Sequence, residues 1–348
     1  MNYLNIRKAA SSESCKRISL TVSVSALLSV ALFSACESPG DLIHPNGMSG
    51  INTATAINSP VAYSNTGNVV EVQTEHMNFI MPDEIPSGWT TFRYQNSSHK
   101  THFFLLEKMP VFEGEQKGIE DYEEQIAPVF QNAMDLINEG KVDEGFAEFA
   151  RFPAWASQII YTGGVGLVAP GETAQVTLRL DPGLYVIECY VKTNGRFHSV
   201  DGMVKEMLVT EASSNALPPK KSTLHMTLSS TGGIEIEGKL RPGLHTIAVH
   251  FKDQVVHEHA LGHDVHLVKL ADDTNLEELE AWMNWINPHG LETPAPATFL
   301  AGVQEMPAGN TAYLSMVLKP GRYAWISEVP NASSKGMLKT FTIPAGGN

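Results

Sequence analysis

Apolar and polar residues alternate along short stretches of this chain. Ala174, Val176, Leu178 and Leu180 are separated by Gln175, Thr177 and Arg179. A period of two places every second side chain on one face, which predicts a half-buried β-strand. The strand runs into the turn Asp181-Pro182-Gly183, and Tyr185 opens the next one. Shifted by 138 residues, the pattern returns: Ala312, Leu314, Met316 and Leu318 alternate, Pro320-Gly321 turns, and Tyr323 follows. The same shift pairs Gly164-Val165 with Gly302-Val303. Further out, Gly202-Met203-Val204-Lys205 is matched by Gly336-Met337-Leu338-Lys339. Thr101-His102-Phe103-Phe104-Leu105 is matched by Val265-His266-Leu267-Val268-Lys269. An internal repeat of this length predicts two copies of one all-β sandwich.

Between the early and late strands of each copy the period changes. Tyr122, Ile126, Val129, Phe130, Met134 and Ile137 stand three and four residues apart, one face of a helix. The first copy thus carries a long helical insertion over about 119–157, and the second a shorter one from Leu276 to Ile286. Residues 37–67 are rich in Ser, Asn, Gly, Thr and Pro without an apolar period, the composition of a tether. Ala212 to Lys221, with Pro218-Pro219, reads as a linker. The expected organisation is a leader at 1–35, a tether at 36–68, a first domain at 69–212, a linker at 213–222 and a second domain at 223–344.

The leader changes the picture of where the protein works. Arg7, Lys8, Lys16 and Arg17 precede an uncharged run from Ile18 to Phe33, which is too short and Ser-rich for a membrane span. It ends in Phe33-Ser34-Ala35-Cys36, which resembles a bacterial lipobox. The resemblance implies cleavage before Cys36 and lipidation of its thiol, so that lipid holds the protein to a membrane of the cell envelope, facing the periplasm or the cell surface. Losing 1–35 removes four basic residues and one acidic residue, taking the net charge from −14 to −17. Such a surface argues against nucleic acid as a partner. With Cys15 in the leader and Cys36 lipidated, Cys189 is the one thiol left, without an intramolecular disulfide partner. It is a buried structural residue, a reactive thiol or a metal ligand.

The stretch Tyr185-Val186-Ile187-Glu188-Cys189 continues through Asn194-Gly195 to His198 and then Gly202-Met203. A strand ending in Cys, a loop carrying His, and Gly-Met opening the last strand resemble the ligand loop of cupredoxins. Upstream, Asn96-Ser97-Ser98-His99-Lys100-Thr101-His102 resembles the strand end that supplies the remaining histidine, with His102 in the ligand place and His99 its competitor. The resemblance implies two tandem Greek-key sandwiches of cupredoxin type, with copper held in the first by His102, Cys189, His198 and Met203. Two imidazoles, a thiolate and a long axial thioether make a blue-copper set, acceptable to both oxidation states of copper. It implies electron transfer with a redox protein partner. Eight residues separate Cys189 from His198, more than in typical loops of this kind, and a tight turn at Asn194-Gly195 is expected to return the chain to the metal.

In the second copy Cys189 becomes Ser327, no His follows it, and the loop to Met337 is four residues shorter. This copy is expected to lack a blue-copper site. It carries its own histidines, and His257, His259, His263 and His266 form a second candidate metal set, suited to copper sequestration. Multicopper oxidases and copper nitrite reductases require histidine beside the ligand cysteine, whereas Glu188 and Tyr190 flank Cys189, so no enzyme of either kind is expected. The alternative to a copper protein is a metal-free sandwich used as an interaction scaffold.

Overall fold

The computed structural model describes residues 67–258 and 261–345. The first half runs β1 (Asn68–Glu75), β2 (Asn78–Ile80), β3 (Glu84–Asn96) and β4 (His102–Lys108). A small ribbon of β5 (Val111–Phe112) and β6 (Glu115–Gln116) follows. Then come α1 (Ile119–Gln125), α2 (Ala127–Asn138) and α3 (Val142–Glu148), with two 3₁₀ turns after them. The half closes with β7 (Ile160–Val168), β8 (Thr173–Leu180), β9 (Gly183–Glu188), the ribbon β10 (Lys192–Thr193) and β11 (Arg196–Phe197), and β12 (Val204–Ser213). The second half has β13 (Leu224–Ser229), β14 (Gly233–Glu237), β15 (Gly243–Phe251), β16 (Val265–Leu270) and α4 (Leu276–Met283). It ends with β17 (Thr298–Val303), β18 (Thr311–Leu318), β19 (Gly321–Ile326) and β20 (Leu338–Ile343). Among the described residues, no helix is long and apolar enough to cross a membrane.

The architecture is all-β, and the pairing of the first half recurs in the second. β1 lies parallel to β3 and antiparallel to β2, as β13 does to β15 and β14. β3 pairs with β8 as β15 pairs with β18. β4 lies between β7 and β9 as β16 lies between β17 and β19, and β9 pairs β12 as β19 pairs β20. The insertion of the first half is not one helix. Pro128 sits in the first turn of α2 and Glu139-Gly140 ends it, and the apolar residues divide: Tyr122 on α1 packs in a small cluster with Ile126, while Met134 and Ile137 on α2 join the main core.

The two halves join edge to edge in both layers. β8 pairs with β18, with Val176 opposite Leu314; β7 meets β17 at Val165 opposite Val303. Each of these pairs joins positions 138 residues apart, the spacing at which the sequence pattern returns. β8 thereby becomes an interior strand. Gln175 and Thr177, which alternation alone would leave in water, are buried, and Thr177 hydrogen-bonds Thr91 at 2.8 Å.

Strand register corrects one match made from the sequence. Phe104 pairs with Val165 and Val265 with Val303; Leu105 pairs with Glu188 and His266 with Ile326. His102 therefore corresponds to His263 and not to His266. Both strands are apolar on both faces, so a shift of three residues leaves the apparent match intact, and only the neighbouring strands fix it.

Candidate metal centre

Three of the four residues of the first candidate set meet at one buried point. Cys189 directly follows β9 and His102 opens β4, two strands that pair side by side. The Cys189 Sγ lies 3.6 Å from the His102 Nδ1 and 3.8 Å from the His198 Nδ1, and the two Nδ1 atoms are 3.2 Å apart. An ion about 2.0 Å from imidazole nitrogen and about 2.3 Å from thiolate sulfur, in a trigonal plane, needs edges of about 3.5 Å between nitrogens and about 3.7 Å to sulfur. The triangle fits. Met203 is fully buried, and its backbone joins the other two: its carbonyl accepts the Cys189 N–H at 3.3 Å, and its N–H donates to the His198 carbonyl at 2.8 Å. His99 is exposed and takes no part. Asn96 shapes the bend that separates it from His102: its Nδ2 donates to the Lys100 and Val168 carbonyls, and its Oδ1 accepts from Ser98.

The long loop returns through a hairpin. Asn194 and Gly195 both take positive φ, 53° and 74°, the two-residue turn that suits the strand twist between β10 and β11. Three groups invisible to motif reasoning hold this hairpin. Gln131 of α2 donates to the Gly195 carbonyl at 3.1 Å and accepts the Phe197 N–H at 3.0 Å. From the second half, Glu292 accepts the Asn194 and Gly195 N–H groups at 2.5 and 3.1 Å. Lys192 is buried, and its ammonium donates to the Trp285 and Asn287 carbonyls at 2.9 and 2.8 Å. Long-range partners of this kind leave no local spacing in a sequence.

Hydrogen bonds also set the rings. The His198 Nε2 sits 2.9 Å from the Thr193 hydroxyl, which pairs with Thr293 of the second half at 2.9 Å. With the proton on Nε2, the Nδ1 lone pair faces the centre. His102 places Nδ1 in the triangle, while its buried Nε2 has no hydrogen-bond partner. An orphaned ring nitrogen costs about 1–3 kcal/mol, so that ring is not placed by its own hydrogen bonding. Burial pushes the Cys189 thiol up to about 12 and both His102 and His198 down to about 3. Near neutral pH the imidazoles are therefore neutral and ready to ligate, while the thiol holds its proton.

The second candidate set divides. His257 and His263 meet, Nε2 to Nε2, at 2.7 Å. His259, like Cys36, lies outside the described residues. His266 does not join them. It turns to the seam, where its Nδ1 accepts the Leu167 N–H at 3.0 Å and its Nε2 lies 2.5 Å from Asp264 and 3.3 Å from Glu328. Asp264 also accepts from the Ser327 hydroxyl at 2.5 Å and the Glu328 N–H at 2.8 Å. The sequence reading missed this convergence because Asp264 and Glu328 stand 64 residues apart.

A second acid group lies across β4 and β9. Tyr122 donates to Glu188, and Glu107 is buried beside it with one carboxyl oxygen unpartnered. A cavity of about 60 Å³ opens between Glu188, Tyr161, Tyr190 and Glu305. Burial, then the neighbouring Glu188, holds Glu107 well above the ordinary carboxylate range. From that range up to its raised value, the folded chain keeps a proton that the unfolded chain has released, so stability falls as pH rises through the window. Glu107→Gln is expected to flatten this fall. Thermal midpoints of variant and parent between about pH 5 and about pH 8 test it, and an equal slope would remove Glu107 from the explanation.

No protein-family model and no curated protein matches the chain. Among solved structures, dithionite-reduced auracyanin from the photosynthetic bacterium Roseiflexus castenholzii aligns over 42% of this chain and 99% of its own, at 21% identity and a TM-score of 0.25. Auracyanin A, a blue copper protein of Chloroflexus aurantiacus, aligns over 41% and 98%, at 20% identity and 0.24. A multicopper oxidase covers 79% of this chain and 87% of its own, at 12% identity and 0.20. Likeness at this level carries no argument about chemistry, which rests on the residues themselves. The chain is thus similar, over part of its length, to blue copper auracyanins and, over more of it, to a multicopper oxidase.

Proposed function

We propose that this chain is a copper-binding, cupredoxin-type electron carrier of the bacterial envelope, anchored by lipid on Cys36. The observation that carries the reading is the buried triangle of the Cys189 Sγ and the Nδ1 atoms of His102 and His198. Met203, buried with its backbone bonded to both Cys189 and His198, is the fourth donor in this reading. A bound copper ion supplies a one-electron couple. The protein's part is to keep the donors still: Thr193 orients His198, Asn96 fixes the approach to His102, and Gln131, Lys192 and Glu292 grip the hairpin between them. Donors held from several elements at once rearrange little between oxidation states. The second half braces the hairpin of the first through Glu292, Thr293 and the carbonyls that hold Lys192, and the acidic exterior suits a basic redox protein as partner.

The chain loaded with Cu(II) is expected to show an intense visible thiolate-to-copper absorption band, which Cys189→Ala removes together with one equivalent of copper. A colourless Cu(II) protein whose copper content is unchanged by Cys189→Ala would overturn the proposal. Incorporation of labelled fatty acid, lost in Cys36→Ala, tests the anchor.

A further inference from the structure

Counted back from the corresponding residues Phe104 and Val265, His263 stands two residues before β16, where His102 opens β4. Its ring is fully buried. Its Nδ1–H donates to the Asp253 carbonyl at 3.3 Å, with the Asp253 carboxylate 3.6 Å away. A ring with its hydrogen on Nδ1 keeps a lone pair on Nε2, the state that a backbone carbonyl imposes on ligating histidines. That Nε2 faces the His257 Nε2 at 2.7 Å. Gln254 pins the backbone of His263 by accepting its N–H at 2.5 Å and donating to its carbonyl at 3.1 Å. His257 is half-buried on the loop above.

One backbone contact of the first pole recurs here. The Met337 carbonyl accepts the Ser327 N–H at 3.1 Å, as the Met203 carbonyl accepts the Cys189 N–H at 3.3 Å. Ser327 replaces the thiol and turns to Asp264. Among the described residues, no Cys, Asp, Glu or further His completes a three-donor cluster with the pair. Two imidazoles without a third such donor suit a d¹⁰ ion content with low coordination, whereas Zn(II) favours four ligands.

We infer that His257 and His263 form a second, thiolate-free copper site, selective for Cu(I). The hydrogen shared by the two Nε2 atoms moves, by exchange with water, to the His257 Nδ1, and the ion takes its place between two neutral imidazoles. Metal–nitrogen bonds of about 2.0 Å require the nitrogens to stand about 3.3–4 Å apart. The His257 ring supplies this movement of about 1 Å from its loop, while His263 stays fixed.

The full chain carrying Cys189→Ser and His198→Ala, so that one imidazole alone is left of the first site's pair, titrated anaerobically with Cu(I) against a chromophoric Cu(I) chelator, tests this. It is expected to bind one equivalent, and adding His257→Ala is expected to weaken binding at least a hundredfold. His257 is half-buried on a loop, so its removal leaves the fold intact, as matched circular dichroism of the two variants should show. Undiminished Cu(I) binding once His257→Ala is added, no binding in the chain with Cys189→Ser and His198→Ala alone, or preference for Zn(II) over Cu(I) would each overturn the inference. The outcome is separate from that of the first site. If the first site binds no copper, the unmodified chain takes up one equivalent, which His257→Ala still abolishes.

Discussion

Gly166→Ala is expected to lower the thermal midpoint by roughly 10 °C. A Cβ at this position would stand 2.6 Å from the Gly302 Cα and 2.9 Å from the Gly302 carbonyl carbon, both backbone atoms, and 2.7 Å from the His266 Nδ1. Gly302 in turn lies against the Val265 carbonyl and Gly166 itself, so neither chain has room to withdraw. Side-chain clashes are relieved by rotation; backbone clashes are relieved only by moving strands. Overpacking of this kind costs about 3 kcal/mol or more, and a chain of this size loses about 2–4 °C per kcal/mol. The damage falls on the seam, and the seam carries Glu292 and the Lys192 carbonyl partners to the hairpin. Copper retention should therefore fall with stability. Gly67→Ala, where a Cβ meets only the Ala216 Cβ at 3.9 Å, is the matched control. Calorimetry of both variants decides it: a shift for Gly166→Ala no larger than the control's would mean that the two backbones can part.

Much of this architecture can be read from period and repeat. The alternation at Ala174–Leu180 and its copy at Ala312–Leu318 announce β8 and β18. Asn194-Gly195 announces the hairpin, since both residues tolerate positive φ. What stays hidden is whatever depends on register or on distant pairing. Counting back from Phe104 and Val265 matches His102 to His263, whereas residue-by-residue matching assigns it to His266, because two-sided burial erases the alternation that would have exposed the slip. The buried Lys192 is legible only once its carbonyl partners nearly a hundred residues away are in place. The clustering of Asp264, His266 and Glu328 arises for the same reason, from strands brought together by the seam. Local chemistry leaves a local signature, and pairing between distant strands of one chain leaves almost none.

Copper affinity is expected to rise about tenfold for each pH unit between about pH 6 and about pH 9. Burial is the first cause that pushes Cys189 up to about 12, with hydrogen bonds from the Phe103 and Val191 backbone working against it. A thiolate is the ligating form, so binding expels one proton throughout this range. The histidines add no slope there. Burial has pushed both down to about 3, and a ring already neutral releases nothing when it ligates. They act instead below the ordinary imidazole value, where unfolding takes up protons that the folded site refuses, so the metal-free protein weakens as pH falls from about 6.5 toward 3. The two effects have opposite ligands and separate windows, which makes them separable. Cu(I) competition titrations, corrected for the chelator's own protonation, should give a slope near one proton. Cys189→Ser should flatten the affinity slope while leaving the acid weakening in place. A flat slope in the unmodified chain would mean that the thiol is already ionised before metal arrives, and that the buried pocket stabilises a bare thiolate.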